Sequence, residues 1–232
     1  MMISPETFYE YNLKGKTPEQ IMSVIRNLKR EMGRLKNVME NPNYADRGII
    51  IHPAEDVQLY CAREYLLKAK EALVKAGGTY TPSAAEQKVA QFDESIPYIN
   101  KIVFSIGGYF GGYKTKTYTF SGDNIYMNLE HSLDFEPDNK PEPQLLEMTK
   151  QEFLEEFKDL HIGEWRKHYN LKRFGWVVMD GTQWDLEIYF SNDHKPVKIY
   201  GDNAYPYNFE NFADLFGIEF SDNVYYEEDE DE

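Results

Sequence analysis

Hydrophobic positions along the chain change period once, and the change divides it. From residue 17 to 39 the apolar residues Ile21, Val24, Ile25, Leu28, Met32, Leu35 and Val38 recur at the i, i+3, i+4, i+7 spacing of one buried helical face. Thr17, Pro18 and Gln20 supply a capping box with proline at the first helical position. Opposite that stripe lie Arg26, Lys29, Arg30, Arg34 and Lys36, which read as a solvated basic face. Asn41 and Pro42 end the helix, and residues 43–53, with Ile49, Ile50 and Ile51, read as a connection. A second helix is predicted over 54–76, with Val57, Leu59, Tyr60, Leu66, Leu67, Leu73 and Val74 as core contacts and Gly77 and Gly78 closing it. The two form an antiparallel hairpin, and a third helix over 82–92 takes Thr81 as its cap.

From residue 99 the pattern alternates. Ile102, Phe104 and Ile106 lead into GGYFGG at 107–112, KTKTYTF at 114–120 alternates again, and residues 121–124 form a turn before a third strand at 125–129. Residues 136–143 are acidic and proline-rich, a surface loop. Thr149 and Glu152 make a second capping box for a helix through residue 161, with Phe153, Leu154, Phe157 and Leu160 facing inward. Strands follow at 176–179, at 184–190 and at 197–200. Pro206 and Asn208 introduce a last helix to about residue 216. The reading is an α+β fold: an N-terminal helical hairpin plus an antiparallel β-sheet packed by helices, divided into a helical lobe over 1–95, a sheet lobe over 96–220 and an acidic tail over 221–232.

Composition sharpens this picture. With 41% hydrophobic and 15% aromatic residues, the 232-residue chain has ample material for packed cores. Its net charge of -15 is uneven: residues 1–80 hold 12 Lys and Arg against 10 Asp and Glu, and residues 81–232 hold 13 against 30. Such a surface repels phosphate backbones, which disfavours direct nucleic-acid binding and favours a basic protein partner. No apolar run reaches bilayer length, no signal peptide opens the chain, and Cys61 stands alone, so no membrane association and a cytoplasmic location are expected. Cys61 is expected to be a buried thiol.

Through IVFSIGGYFGG, Asp180 with Trp184, and Pro206, residues 99–218, roughly half the chain, resemble the emfourin-like small protein inhibitors of metalloproteases. The resemblance implies inhibition of a metalloprotease.

Two places could carry chemistry or binding. The glycines of GGYFGG lack the spacing and the lysine of a phosphate-binding loop and lead into a strand, so they are read as permitting a sharp hairpin. Tyr109, Phe110 and Tyr113 would then project from its tip as a partner-binding group. His161, Glu164 and His168 share one face if the helix continues through them, and imidazole with carboxylate could then hold a metal ion. No complete catalytic or cofactor motif is present, and no cofactor is expected. The expected function is a non-enzymatic protein-binding module, an inhibitor of a basic protein partner. The alternatives are an acidic DNA mimic that blocks a nucleic-acid enzyme, as a phage counter-defence protein does, and a metal-dependent enzyme.

Overall fold

The computed structural model describes residues 2–45, 48, 52–133, 142–178 and 180–218. The expectations for Ile49 to Ile51, for most of the loop at 136–143, and for the acidic tail lie outside them.

Two helices form where the capping boxes place them. Thr17 Oγ1 accepts from the Gln20 backbone N–H and Gln20 Oε1 accepts from that of Thr17, opening α2 (Pro18–Met39). Thr149 and Glu152 repeat the arrangement at the start of α5 (Lys150–Asp159). Each box satisfies two amides that lack an intrahelical partner. α3 (Glu55–Lys75) runs back along α2: just past its end, Gly78 lies against Leu73 and Pro18, so the end of α3 meets the start of α2.

The helical core differs from expectation in α3. Val57, Tyr60, Leu67 and Val74 are exposed, whereas Leu59, Ala62, Tyr65, Leu66, Ala69, Ala72 and Leu73 are buried. Alanines at 62, 69 and 72 let α2 and α3 approach closely, and a pattern counting only large apolar side chains misses that face. Cys61 is half-buried against this core. A short helix absent from the sequence reading, α1 (Pro5–Asn12), is capped by Ser4 and held by Phe8, which stacks on Tyr65 with centroids 4.2 Å apart. The Tyr65 hydroxyl donates to the Ile3 carbonyl at 2.6 Å.

The third helix starts later than predicted: α4 (Ala84–Ser95) is capped by Ser83, whose side chain pairs reciprocally with Glu86, and not by Thr81. A serine three residues before a glutamate completes the box. α4 bridges the two lobes. Glu86 at its start pairs with Lys29 at 2.8 Å and Lys70 at 3.2 Å, while Phe92 near its end belongs to the core of the sheet.

The seven-stranded sheet has the order β4-β3-β2-β1-β6-β7-β5 and is antiparallel except where β5 pairs with β7. Its centre is β1 (Ile99–Gly108), between β2 (Gly112–Ser121) and β6 (Gln183–Phe190). β3 (Asn124–His131) and β7 (Val197–Asp202) flank these, and the short β4 (Gln144–Leu145) and β5 (His168–Asn170) form the edges. No strand forms at 176–178; Met179 lies outside the described residues.

Alternation gives the sheet one apolar face. Ile102, Phe104, Tyr118, Phe120, Ile125, Trp184, Leu186, Ile188 and Ile199 point into a core closed by Phe153 and Phe157 of α5 and Phe209 and Phe212 of α6 (Phe209–Leu215). Trp184 is completely buried, and its indole N–H donates to the Ala204 carbonyl at 3.0 Å. Each such ring contributes roughly 1.5–3 kcal/mol by leaving water. The opposite face carries polar pairs such as Ser105 with Thr115 at 3.0 Å and Lys198 with Glu187. No helix among the described residues is long and apolar enough to cross a membrane.

Candidate functional site

The hairpin between β1 and β2 turns through residues 109–111. Gly107 faces the backbone of Gly112 and Tyr113, Gly108 approaches the Gly181 carbonyl, and Gly112 has φ +69°; a Cβ at 107 would collide with the backbone opposite. The glycines thus let two backbones pass closely at the end of the sheet. This geometry leaves Tyr109 84% and Phe110 81% exposed, set edge to face with centroids 5.1 Å apart. Tyr113 does not join them. It is half-buried, and its hydroxyl donates to Gln183 Oε1 at 2.6 Å on β6. The reason is its place in the β2 ladder opposite Gly107, which puts it on the sheet and not on the turn.

Leu133 is also open to solvent and packs beside Gly112, and the strand that begins beyond Gly181 pairs with Gly107 through Gln183. Trp176, Val177 and Val178 are exposed as well, Val177 at 80%.

His161, Glu164 and His168 are not brought onto one helical face. α5 stops at Asp159, His161 adopts a left-handed φ of 51°, Glu164 closes a single 3-10 turn, and His168 lies in β5 with its ring stacked on Tyr200 at 4.3 Å. Gly163 and the left-handed His161 break the helix that the shared face required. Among the described residues, no group of three His, Cys, Asp or Glu side chains could hold a metal ion.

Glu164 has a different role, at the junction of the lobes. Its Oε2 accepts from Lys36 Nζ at 2.5 Å and from Arg63 Nη2 at 2.6 Å, and the Tyr207 hydroxyl lies 2.7 Å from Arg63 and 3.3 Å from Glu164. Burial raises the Glu164 pKa, but the charges of Lys36 and Arg63 outweigh it and hold the carboxyl at about 2. Burial lowers the Lys36 pKa despite Glu164, and burial together with the Arg63 charge lowers that of His161. A second buried carboxylate, Glu40 at the end of α2, pairs with Arg166 at 3.4 Å and with Arg173. Asn37 accepts from both arginines.

Sequence reading missed this seam. Arg26, Arg30 and Arg34 are exposed as a solvated face requires, but Lys36 is turned into the junction. The signal was faint: Lys36 lies one position beyond the core residue Leu35, at the border of the apolar stripe, where a long side chain can reach across a second element. Nothing in sequence spacing links it to residue 164 or 207.

Comparison with protein-family models, with curated proteins and with solved structures returned no match. The class of molecule therefore comes from the architecture itself, an α+β fold with two hydrophobic cores joined by a charged seam.

Proposed function

We propose that this chain is a non-enzymatic protein-binding module that engages a basic partner through its aromatic hairpin tip. The observation that carries the reading is the exposure of Tyr109 and Phe110 on a turn anchored by close backbone contacts. A preformed tip loses little conformational freedom on binding, and aromatic side chains are the usual energetic anchors of interfaces. The net charge of -15 adds long-range attraction for a basic surface and opposes self-association. Inhibition is the outcome the emfourin-like resemblance implies, with the tip entering a cleft on the partner.

The test is affinity capture from the source cell with the full chain and with a Tyr109→Ala, Phe110→Ala variant, followed by a binding titration against the purified companion. A companion held by the parent and lost by the variant supports the reading. Equal affinity of both proteins for every companion would rule the tip out as the anchor.

A further inference from the structure

We propose that the outer face of α3 is a self-recognition surface on which a second copy of this chain docks antiparallel. Leu59, Ala62, Leu66, Ala69 and Leu73 are buried on one side of this helix. On the opposite side Val57, Tyr60, Glu64, Leu67, Glu71 and Val74 follow one another at alternating steps of three and four residues, the seam of a two-stranded coiled coil. Tyr60 is 64%, Leu67 58% and Val74 65% exposed, and Val57 is open as well. Apolar side chains scattered singly over a surface need no partner, whereas four along one seam form a continuous stripe of the kind that marks an interface. The stripe belongs to the helical lobe and not to the hairpin tip, and this inference is independent of the proposed function.

The symmetry of the stripe identifies its occupant. A two-fold axis perpendicular to α3 at the level of Tyr65 and Leu66 sets Val57 against the partner's Val74 and Tyr60 against the partner's Glu71, where the phenol can donate to the carboxylate. The same register brings Glu64 level with the partner's Lys68 on one edge of the seam, and the axis repeats that pair. Glu64 forms no ion pair among the described residues, and Lys68 reaches Glu6 only at 3.7 Å and Glu71 only at 3.9 Å, so neither gives up a close partner. The like charges that approach on the other edge, Arg63 and the partner's Lys70, are neutralised within their own copies by Glu164 at 2.6 Å and Glu86 at 3.2 Å. Polar residues within a helical seam lower its stability and fix its register, and here each finds its complement in an identical chain.

The charge distribution permits the contact. The net charge of -15 opposes self-association over most of the surface, but the acidic surplus lies in residues 81–232, whereas residues 1–80 hold 12 Lys and Arg against 10 Asp and Glu. Two helical lobes therefore meet with little long-range repulsion. Tyr11 of α1, also exposed, shares a groove with Lys68 and Lys75 and widens the patch on the edge where Glu64 and Lys68 pair. The seam runs the length of α3, roughly 30 Å at the rise of an α-helix. A single helix pair with two carboxylates in its seam falls at the small end of specific interfaces, so the dimer is weak and its affinity micromolar.

Sedimentation velocity of the full chain, from low micromolar to several hundred micromolar at about 0.15 M salt, tests the proposal. A concentration-dependent rise toward twice the chain mass is expected. Leu67→Glu adds a carboxylate at the centre of the seam, leaves both hydrophobic cores intact and should weaken the dimer on the order of tenfold. Glu64→Lys and Lys68→Glu should each weaken it as well. An equimolar mixture of these two single variants should associate more tightly than either one alone, because opposite charges then face each other at both symmetry-related pairs. The Tyr109→Ala, Phe110→Ala variant should dimerise normally. A monomer at every concentration, which would leave the stripe to a different protein, overturns the proposal. So does dimerisation unchanged by Leu67→Glu, a mixture no tighter than its components, or loss of the dimer in the hairpin variant.

Discussion

Replacing Glu164 by Gln tests the lobe junction directly. The substitution keeps size and an acceptor oxygen but removes the carboxylate that both Lys36 and Arg63 contact. Breaking a fully buried pair by deleting one partner costs about 3–5 kcal/mol. These side chains retain about a fifth of their exposure and the Tyr207 hydroxyl stays in reach of Arg63, so a loss of about 2–3 kcal/mol is expected here. The pH dependence gives a second, independent readout. The folded-state pKa of Glu164 is depressed from 4.5 to about 2, so its contribution is full above pH 4.5 and is lost as pH falls toward 2. That interval corresponds to a ceiling of about 3 kcal/mol. Lys36 leans the other way, because burial lowers its pKa, and the net worth of the cluster at neutral pH is below that ceiling. Urea unfolding followed by circular dichroism at pH 7, 4 and 2.5 should show wild type losing stability on acidification more steeply than Glu164→Gln. Adding Lys36→Met to Glu164→Gln should recover part of the loss by removing one stranded cation. A change at pH 7 below about 0.5 kcal/mol, the range of ordinary surface substitutions, or superimposable pH profiles would refute the reasoning.

Three further outcomes follow from the packing. Tyr109→Ala with Phe110→Ala should leave the unfolding free energy within about 0.5 kcal/mol of wild type, since both rings are mostly in water, and thermal melting checks this. Ser83→Ala should cost about 1 kcal/mol through loss of the α4 cap, while Thr81→Ala should be near neutral, a contrast measured by chemical denaturation. Trp184→Ala should cost about 3–5 kcal/mol, because it empties the centre of the sheet core and strands the Ala204 carbonyl; the midpoint of a urea transition reads it.

The period change at residue 99, the two threonine capping boxes and the alternation of β1, β2 and β6 were legible in the sequence because each depends on neighbours within a few residues. So was the exposed aromatic tip, since glycines on both sides of Tyr109 and Phe110 leave the chain no side chain with which to bury them locally. The face of α3 that packs was decided by tertiary structure: alanines became core because α2 lies close, and Val74 and Leu67 stayed in water because nothing covers them among the described residues. Tyr113 was drawn back to the sheet by Gln183, 70 residues away. The charged seam joins residues 36, 63, 164 and 207, whose separations carry no periodicity at all. Local order was written in spacing, whereas the meeting of the two lobes depended on which long side chains the packed cores left within reach of one another.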